Sequence, residues 1–218
     1  MGRTLDITEF NMNKQHIKKL LRKDDPVIFE IGCADGKDTN DFISTFGPNL
    51  KIHCFEPEIK NIAIVKNTVN FGGHYLFEGA VSNKDGITTF HRSRTDNPDD
   101  LSYSGSIKRP KEHLKVWPFI KFDQHLEVKT ITLDTYCKEN NVDYIDFIWA
   151  DVQGAEQDLV EGGKEMFANK IKYLYTEYSN VEYYENQANL QKILEALGPN
   201  WRLVHDFNTD VLLENILL

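Results

Sequence analysis

Val27-Ile28-Phe29-Glu30-Ile31-Gly32-Cys33-Ala34-Asp35-Gly36 is the stretch on which the reading of this chain turns. Its first five residues are mostly apolar and rich in β-branched side chains, which reads as a buried strand. The run stops at Gly32 and Gly36, and a helix is expected from Lys37 or Asp38. A strand, a glycine turn and a helix form the unit with which α/β proteins open a cofactor pocket at a strand's carboxyl end. The spacing is acid-x-Gly-x-x-x-Gly, with Ala34 where a dinucleotide fingerprint wants its second glycine. S-adenosylmethionine carries an ammonium and a sulfonium, so a carboxylate such as Glu30 is useful to it and a pyrophosphate cradle is not. A tight strand-to-helix connection with no cofactor is the plain alternative.

Working outward, the pattern repeats. Phe10, Ile17, Leu20 and Leu21 predict a helix across 13–22 within a polar lead of residues 1–26. After the turn, Phe42, Ile43 and Phe46 share one side of a helix that Gly47-Pro48 stops. Lys51–Phe55 reads as a second strand closed by Glu56-Pro57. Glu56 comes 24 residues after Gly32, near the spacing at which nucleotide-binding α/β proteins place a carboxylate on ribose hydroxyls. A helix over Glu58–Asn70, a third strand at Tyr75–Phe77 and the small residues Ala80-Val81-Ser82 follow, the last beside the expected adenine position. Strands alternating with helices predict a parallel, doubly wound α/β sheet with right-handed crossovers.

The rhythm then breaks. Gly86–His91 and Leu126–Thr132 read as an inserted hairpin, and the long loop between them, residues 92–126, is expected to be functional. It holds Ser102-Tyr103-Ser104-Gly105-Ser106 and Trp117-Pro118-Phe119. Between Gly105 and Lys121 it places Lys108, Arg109, Lys111, Lys115 and Lys121 against the single acid Glu112, which suggests a lid or acceptor-binding loop for anionic or polyhydroxyl groups, a solvated mobile loop being the plain alternative. Downstream come a helix over Leu133–Asn140 capped by Thr132, a buried strand Phe147–Ala150 ending at Asp151, and one helix from Gly154 to Phe167. A strand Lys170–Glu177, a helix Asn186–Leu197 and a closing antiparallel pair, Trp201–His205 with Val211–Leu218, complete the chain. No linker or repeat interrupts it, so residues 1–218 read as a single domain.

Composition narrows the class. A net charge of −9 argues against general binding to nucleic acid or anionic membranes. Cys33, Cys54 and Cys137 form no CxxC pair and read as buried residues of a reducing compartment. No apolar run reaches the roughly 20 residues of a membrane span, no signal peptide opens the chain, and Asp6 spoils a myristoylation site. A cytoplasmic enzyme or binding domain is expected.

On a doubly wound sheet, Glu30, Gly32, Glu56, Ala80 to Ser82, Asp151 and Glu177 fall at one edge. Methyl transfer to a hydroxyl needs alignment and a proton acceptor, and a positioned base contributes roughly 10²–10⁴-fold. Asp151 is the candidate base or the partner of the cofactor's amino group; a helix N-cap is its structural alternative. Glu177 is the second carboxylate, and with Asn180 it could offer oxygen ligands to Mg²⁺, leaving a divalent metal open. His91, His125 and His205 are alternative bases, and Tyr178, Tyr183 and Tyr184 could line an acceptor pocket.

Phe29-Glu30-Ile31-Gly32-Cys33-Ala34-Asp35-Gly36, Phe55-Glu56-Pro57, Ala80-Val81-Ser82, Thr130-Ile131-Thr132-Leu133-Asp134 and Ile148-Trp149-Ala150-Asp151-Val152-Gln153-Gly154-Ala155-Glu156 together resemble the FkbM-type methyltransferases. The resemblance spans about residues 27–180. It implies a Rossmann-like, S-adenosylmethionine-dependent O-methyltransferase acting on sugar hydroxyls of glycans or glycosylated small molecules. It implies cofactor contacts from Glu30, Gly32, Asp35, Glu56 and Val81, beside the turn's Gly36 and the neighbouring Ala80, with Asp151 near the transferred methyl. The chain departs from the family in having Asp35 where Asn is usual, Trp149 where a basic residue is common, and a longer, more basic acceptor loop. A nicotinamide-dependent oxidoreductase and a non-catalytic glycan-binding module are the alternatives, and Ala34 weighs against the first.

Overall fold

A computed structural model of the chain describes residues 12–97 and 103–218. Asp6, Phe10 and Ser102, singled out above, lie outside the described residues. The first helix, Lys14–Leu21 (α1), is capped by Asn13, whose side chain accepts from the His16 amide. The strand that opens the argument is Val27–Ile31 (β1), and after the turn comes Lys37–Phe46 (α2). Then follow Lys51–Glu56 (β2), Ile59–Thr68 (α3), Tyr75–Glu78 (β3), Ala80–Val81 (β4) and Gly86–Arg94 (β5). The middle of the chain forms His113–Val116 (α4), Lys121–Ile131 (β6), Leu133–Glu139 (α5) and Ile145–Ala150 (β7). The last third is Glu156–Gly162 (α6), Lys164–Asn169 (α7), Ile171–Glu177 (β8), Leu190–Leu197 (α8), Trp201–Asp206 (β9) and Asp210–Asn215 (β10).

Seven strands pair in the order β3-β2-β1-β7-β8-β10-β9. β1, β2, β3, β7 and β8 run parallel, and β10 is antiparallel to both its neighbours. The doubly wound, mostly parallel sheet expected from the alternating pattern is therefore present. The closing pair is antiparallel as expected, yet its second strand inserts between β8 and β9 instead of extending the edge. Strand order reverses between β1 and β7, so their carboxyl ends splay and open a crevice there.

Parallel strands are covered on both faces, which explains their continuous apolar runs. One face of the sheet, carrying Phe29, Ile31, Phe55, Ile148 and Leu174, packs on α5 to α8 through Leu133, Leu159, Phe167 and Ile193. The other, carrying Ile28, Ile52, Phe147 and Leu212, packs on α1 and α2 through Ile17, Phe42 and Phe46 and on α3 through Val65. The Lys14 ammonium is drawn under α1, 2.8 Å from Asp38 and 3.4 Å above the Trp149 ring.

Two expectations change. The helix read as continuous from Gly154 to Phe167 is two short helices, Glu156–Gly162 and Lys164–Asn169, with Gly163 between them, and Gly162 lies so close to the Ser82 carbonyl that no side chain fits there. The inserted hairpin is longer than its apolar core: β5 pairs with β6 from Gly86–Thr130 out to Arg94–Lys121. It forms a separate three-stranded sheet, β4-β6-β5, that stands over the carboxyl edge of the main one.

Candidate active site

The carboxyl ends of β1, β2 and β7 floor a cleft of about 680 Å³, open mouth included. Ile31, Gly32 and Ala34 come from the first turn, Phe55 and Glu56 from β2, and Asp151 to Gln153 from the end of β7. Ala80 and Val81 of β4, Phe90 and Ser93 of β5 and residues 103–107 form its walls. The turn is held open by backbone bonds to both neighbours: the Gly32 and Cys33 amides donate to the Phe55 carbonyl, and the Asp151 amide donates to that of Ile31. Gly32 has φ +91°, and a Cβ there would overlap the Asp151 carbonyl oxygen. Only glycine lets the two strand ends lie this close.

Glu56 turns its carboxylate back under the turn. It accepts from the Ala34 amide at 2.8 Å, the Glu58 amide at 2.8 Å and Asn61 Nδ2 at 3.3 Å. A carboxylate has about four acceptor positions, so one is left for a ligand hydroxyl. Burial still outweighs these donors and pushes its pKa up to about 7. At the opposite wall Asp35 accepts from the Tyr103 hydroxyl at 3.0 Å, which ties residues 103–107 across the mouth.

Asp151 is half-buried in the cleft wall, and its pKa is raised mainly by desolvation, with Asp210 adding to it, against the Gln153 hydrogen bond that lowers it. Glu177, at the end of the adjacent β8, is pushed up to about 9 by burial first and then by Asp151, Asp210 and Glu156. Glu156 Oε1 accepts from the Gly154 amide, while its Oε2 is buried with no partner. Asp151 does not cap a helix: α6 starts at Glu156, five residues on, after Ala155. That removes the structural alternative for it.

Of the residues expected to touch a cofactor, Gly32, Glu56, Ala80, Val81 and Asp151 line the cleft and Asp35 stands at its rim. Glu30 and Gly36 do not line it. Glu30 is 1 % exposed and accepts from Thr39 Oγ1 at 2.5 Å beneath α2, and Gly36 packs on Val65 and Val69. Glu177 stands behind the lining, reached through Gln153 Nε2 at 3.5 Å. His91 bonds His125 on the hairpin and His205 packs on Phe207, so none of the three histidines lines the cleft. Tyr178 bonds Asp206, and Tyr183 packs on Trp117. Only Tyr184 turns toward the site.

Four of the loop's five cations are already paired: Lys108 with Asp158, Lys111 with Glu182, Lys115 with Glu112 and Lys121 with Asp96. An anion-seeking lid is therefore not what these lysines make. Among the described residues no group of three or more His, Cys, Asp or Glu side chains converges as a metal site. Sequence reasoning passed over Gln153, whose carboxamide lies between Asp151 and Tyr184; a polar residue directly before a turn glycine was the available signal.

The residues fit S-adenosylmethionine. Gly32 leaves a cradle a side chain would fill, Glu56 keeps an acceptor position for a hydroxyl, and the surrounding carboxylates suit a cation. Glu30 serves the fold instead, and its pH response can be worked out. Burial raises it from 4.5 to about 8, so between those values the folded protein holds a proton that the unfolded chain has released. Stability from this group is present at low pH and is lost as pH rises from 4.5 to 8, at most about 1.4 kcal/mol for each unit crossed. Glu30→Gln is therefore expected to raise the melting temperature at pH 8 and leave it unchanged near pH 4.5. Thermal unfolding at both values checks this, and an equal shift at both would refute it.

Comparison with known proteins bears on the same residues. The methyltransferase FkbM domain model matches residues 30–207. The 2-O-methyltransferase NoeI of Sinorhizobium fredii is 41% identical over 210 residues, covering 94% of this chain and 85% of that protein. Among solved structures, the methyltransferase FkbM of Methylobacillus flagellatus superposes with a TM-score of 0.55 at 14% identity, over 88% of this chain and 44% of its own. A putative rRNA-methylase of Clostridium thermocellum superposes with a TM-score of 0.50 at 12% identity, over 94% of this chain and 97% of its own. Identities this low speak for the fold alone.

Proposed function

The chain belongs to the FkbM methyltransferase family and is an S-adenosylmethionine-dependent O-methyltransferase, and from that premise we propose that the hydroxyl it methylates belongs to a sugar, in a glycan or a glycosylated small molecule. The observation that carries the reading is Asp151 lining the cleft at the switch point, set between the glycine turn and the wall formed by residues 103–107. The 41% identity to a 2-O-methyltransferase supports a hydroxyl acceptor.

S-adenosylmethionine, when bound, supplies a methyl group on an electrophilic sulfonium. Gly32 and Ala34 would bring backbone close to it, Glu56 would accept from its ribose hydroxyls, and Ala80 and Val81 would pack on its base. Asp151 takes the proton from the acceptor hydroxyl, and Glu177 beside it, which holds its own proton up to about 9, stands as a neutral neighbour. Asp35 and Tyr103 close the mouth against water. Residues 1–218 act as one methyltransferase domain, with α1 preceding the first strand and residues 103–107, within 92–126, as the acceptor wall. Among the described residues no helix is long and apolar enough to cross a membrane. Three buried free thiols support a cytoplasmic setting.

The test is calorimetry with S-adenosylhomocysteine followed by a screen of glycan fragments and nucleotide sugars with a labelled methyl donor. Micromolar binding of the donor product and label transferred to a sugar hydroxyl are expected. Label on a non-sugar hydroxyl would overturn the sugar assignment.

A further inference from the structure

We propose that Gln153 is a positioning residue that transmits the seating of the acceptor wall to Asp151; the inference rests on the reading of Asp151 as the base. Its side chain is engaged at both ends. Nε2 donates to Asp151 Oδ1 at 2.6 Å and lies 3.5 Å from Glu177 Oε2. Oε1 lies 2.8 Å from the Tyr184 hydroxyl, which is also 2.8 Å from the Ser104 carbonyl. The backbone carbonyl of the same residue accepts from Ser106 Oγ at 2.7 Å. One residue thus bonds Ser106 of the 103–107 wall, reaches both strand-end acids, and meets the Tyr184 hydroxyl that also touches Ser104.

The local backbone is built for this. Gln153 has φ +49°, unusual for a residue with a side chain, and Gly154 follows at +92°. A Cβ on Gly154 would come within 2.9 Å of the Tyr184 ring, so the ring is seated directly on the turn. Strain of this kind persists where its surroundings over-determine it, and here Ser106, Tyr184 and Asp151 do so.

The chemistry requires a carboxamide. An amide presents a donor at one end and an acceptor at the other, and here the donor end faces carboxylates while the acceptor end faces a phenol. With residues 103–107 seated, the Tyr184 hydroxyl is held beside Oε1, sharing its one proton between Oε1 and the Ser104 carbonyl, and the NH₂ group is turned to Asp151. With the wall displaced, the amide can rotate and the donor is lost. The groups facing Asp151 from the elements around it are Asp38 of α2, Asp210 of β10, Glu156 of α6, Glu177 of β8 and the Tyr184 phenol. None of these is cationic, so the amide of Gln153 is the side-chain donor that keeps Asp151 competent to accept a proton.

Two variants and their combination test it. Tyr184→Phe keeps the ring on Gly154 and removes the hydroxyl. It is expected to lower kcat about ten-fold, the worth of one hydrogen bond, to move the kcat–pH midpoint upward, and to leave S-adenosylhomocysteine affinity within about two-fold. Gln153→Glu removes the donor and adds a charge, with a larger loss and a larger upward shift. In the double variant Tyr184→Phe adds little, because the link it breaks is already gone. Unchanged kcat and midpoint in Tyr184→Phe would overturn the proposal, as would additive losses in the double variant. If Gln153→Glu does not fold, Ser106→Ala takes its place in the cycle. Failure of the underlying reading looks different: Asp151→Asn would stay active, whereas failure of this inference alone leaves Asp151→Asn dead and Tyr184→Phe untouched.

Discussion

Asparagine at position 151 is expected to lower kcat by about 10²–10⁴-fold, the contribution of a positioned base, with little change in affinity for S-adenosylhomocysteine. The replacement keeps the shape of the side chain and an oxygen for Gln153 Nε2, which in the parent lies 2.6 Å from Asp151 Oδ1. What it removes is the capacity to take a proton. The parent's activity should also climb with pH through a midpoint above the ordinary aspartate range, because burial and Asp210 hold the proton on Asp151 more tightly. Single-turnover transfer measured from pH 5 to 9 checks both statements. An asparagine enzyme within ten-fold of the parent would reduce Asp151 to a binding role.

Gly32→Ala is expected to abolish cofactor binding and to cost about 2–5 kcal/mol of stability. Two terms contribute: a left-handed backbone costs a side-chain-bearing residue roughly 1–2 kcal/mol, and forcing an atom into a filled space costs roughly 1–3 more. Here the space is the Asp151 carbonyl, whose own amide is bonded to Ile31, so relief would require parting β1 from β7. Gly198→Ala is the control. Gly198 also has positive φ, +84°, but a Cβ there meets nothing within 4 Å. Denaturant unfolding of the pair separates the terms, and equal losses would show that close approach at Gly32 contributes nothing.

The glycine turn, the alternation of strands and helices, and the strand-end acids Glu56 and Asp151 were all legible before any coordinates, because each is written in local pattern. Glu30 was legible too, but in the other direction. Side chains alternate along a strand, and Phe29 and Ile31 belong to the core on the cleft side, so Glu30 had to point away toward α2. The two-residue β4 was out of reach, since its pairing with β6 is a tertiary choice that no periodicity records. For β10 wedging between β8 and β9 a trace was present, since its continuous run Val211-Leu212-Leu213 suits an inner strand better than β9 with Arg202 and His205. The basic loop misled because a count of lysines does not reveal their partners, and Asp158, Glu182 and Asp96 are distant in sequence or unremarkable in pattern. Gln153 stood inside a quoted motif, but its work depends on Tyr184 and Ser106, and only folding brings these three together.

The stretch that carries α4 is sewn to the chain that follows β8. The amides of Lys111 and His113 donate to the Tyr183 carbonyl, that of Glu112 to Glu182, and the Glu185 amide donates back to Arg109. Two segments some seventy residues apart therefore form a single cassette. Anyone building chimeras to redirect this enzyme should exchange 107–120 and 181–187 together, since a graft of either alone would arrive without the main-chain partners that hold it up.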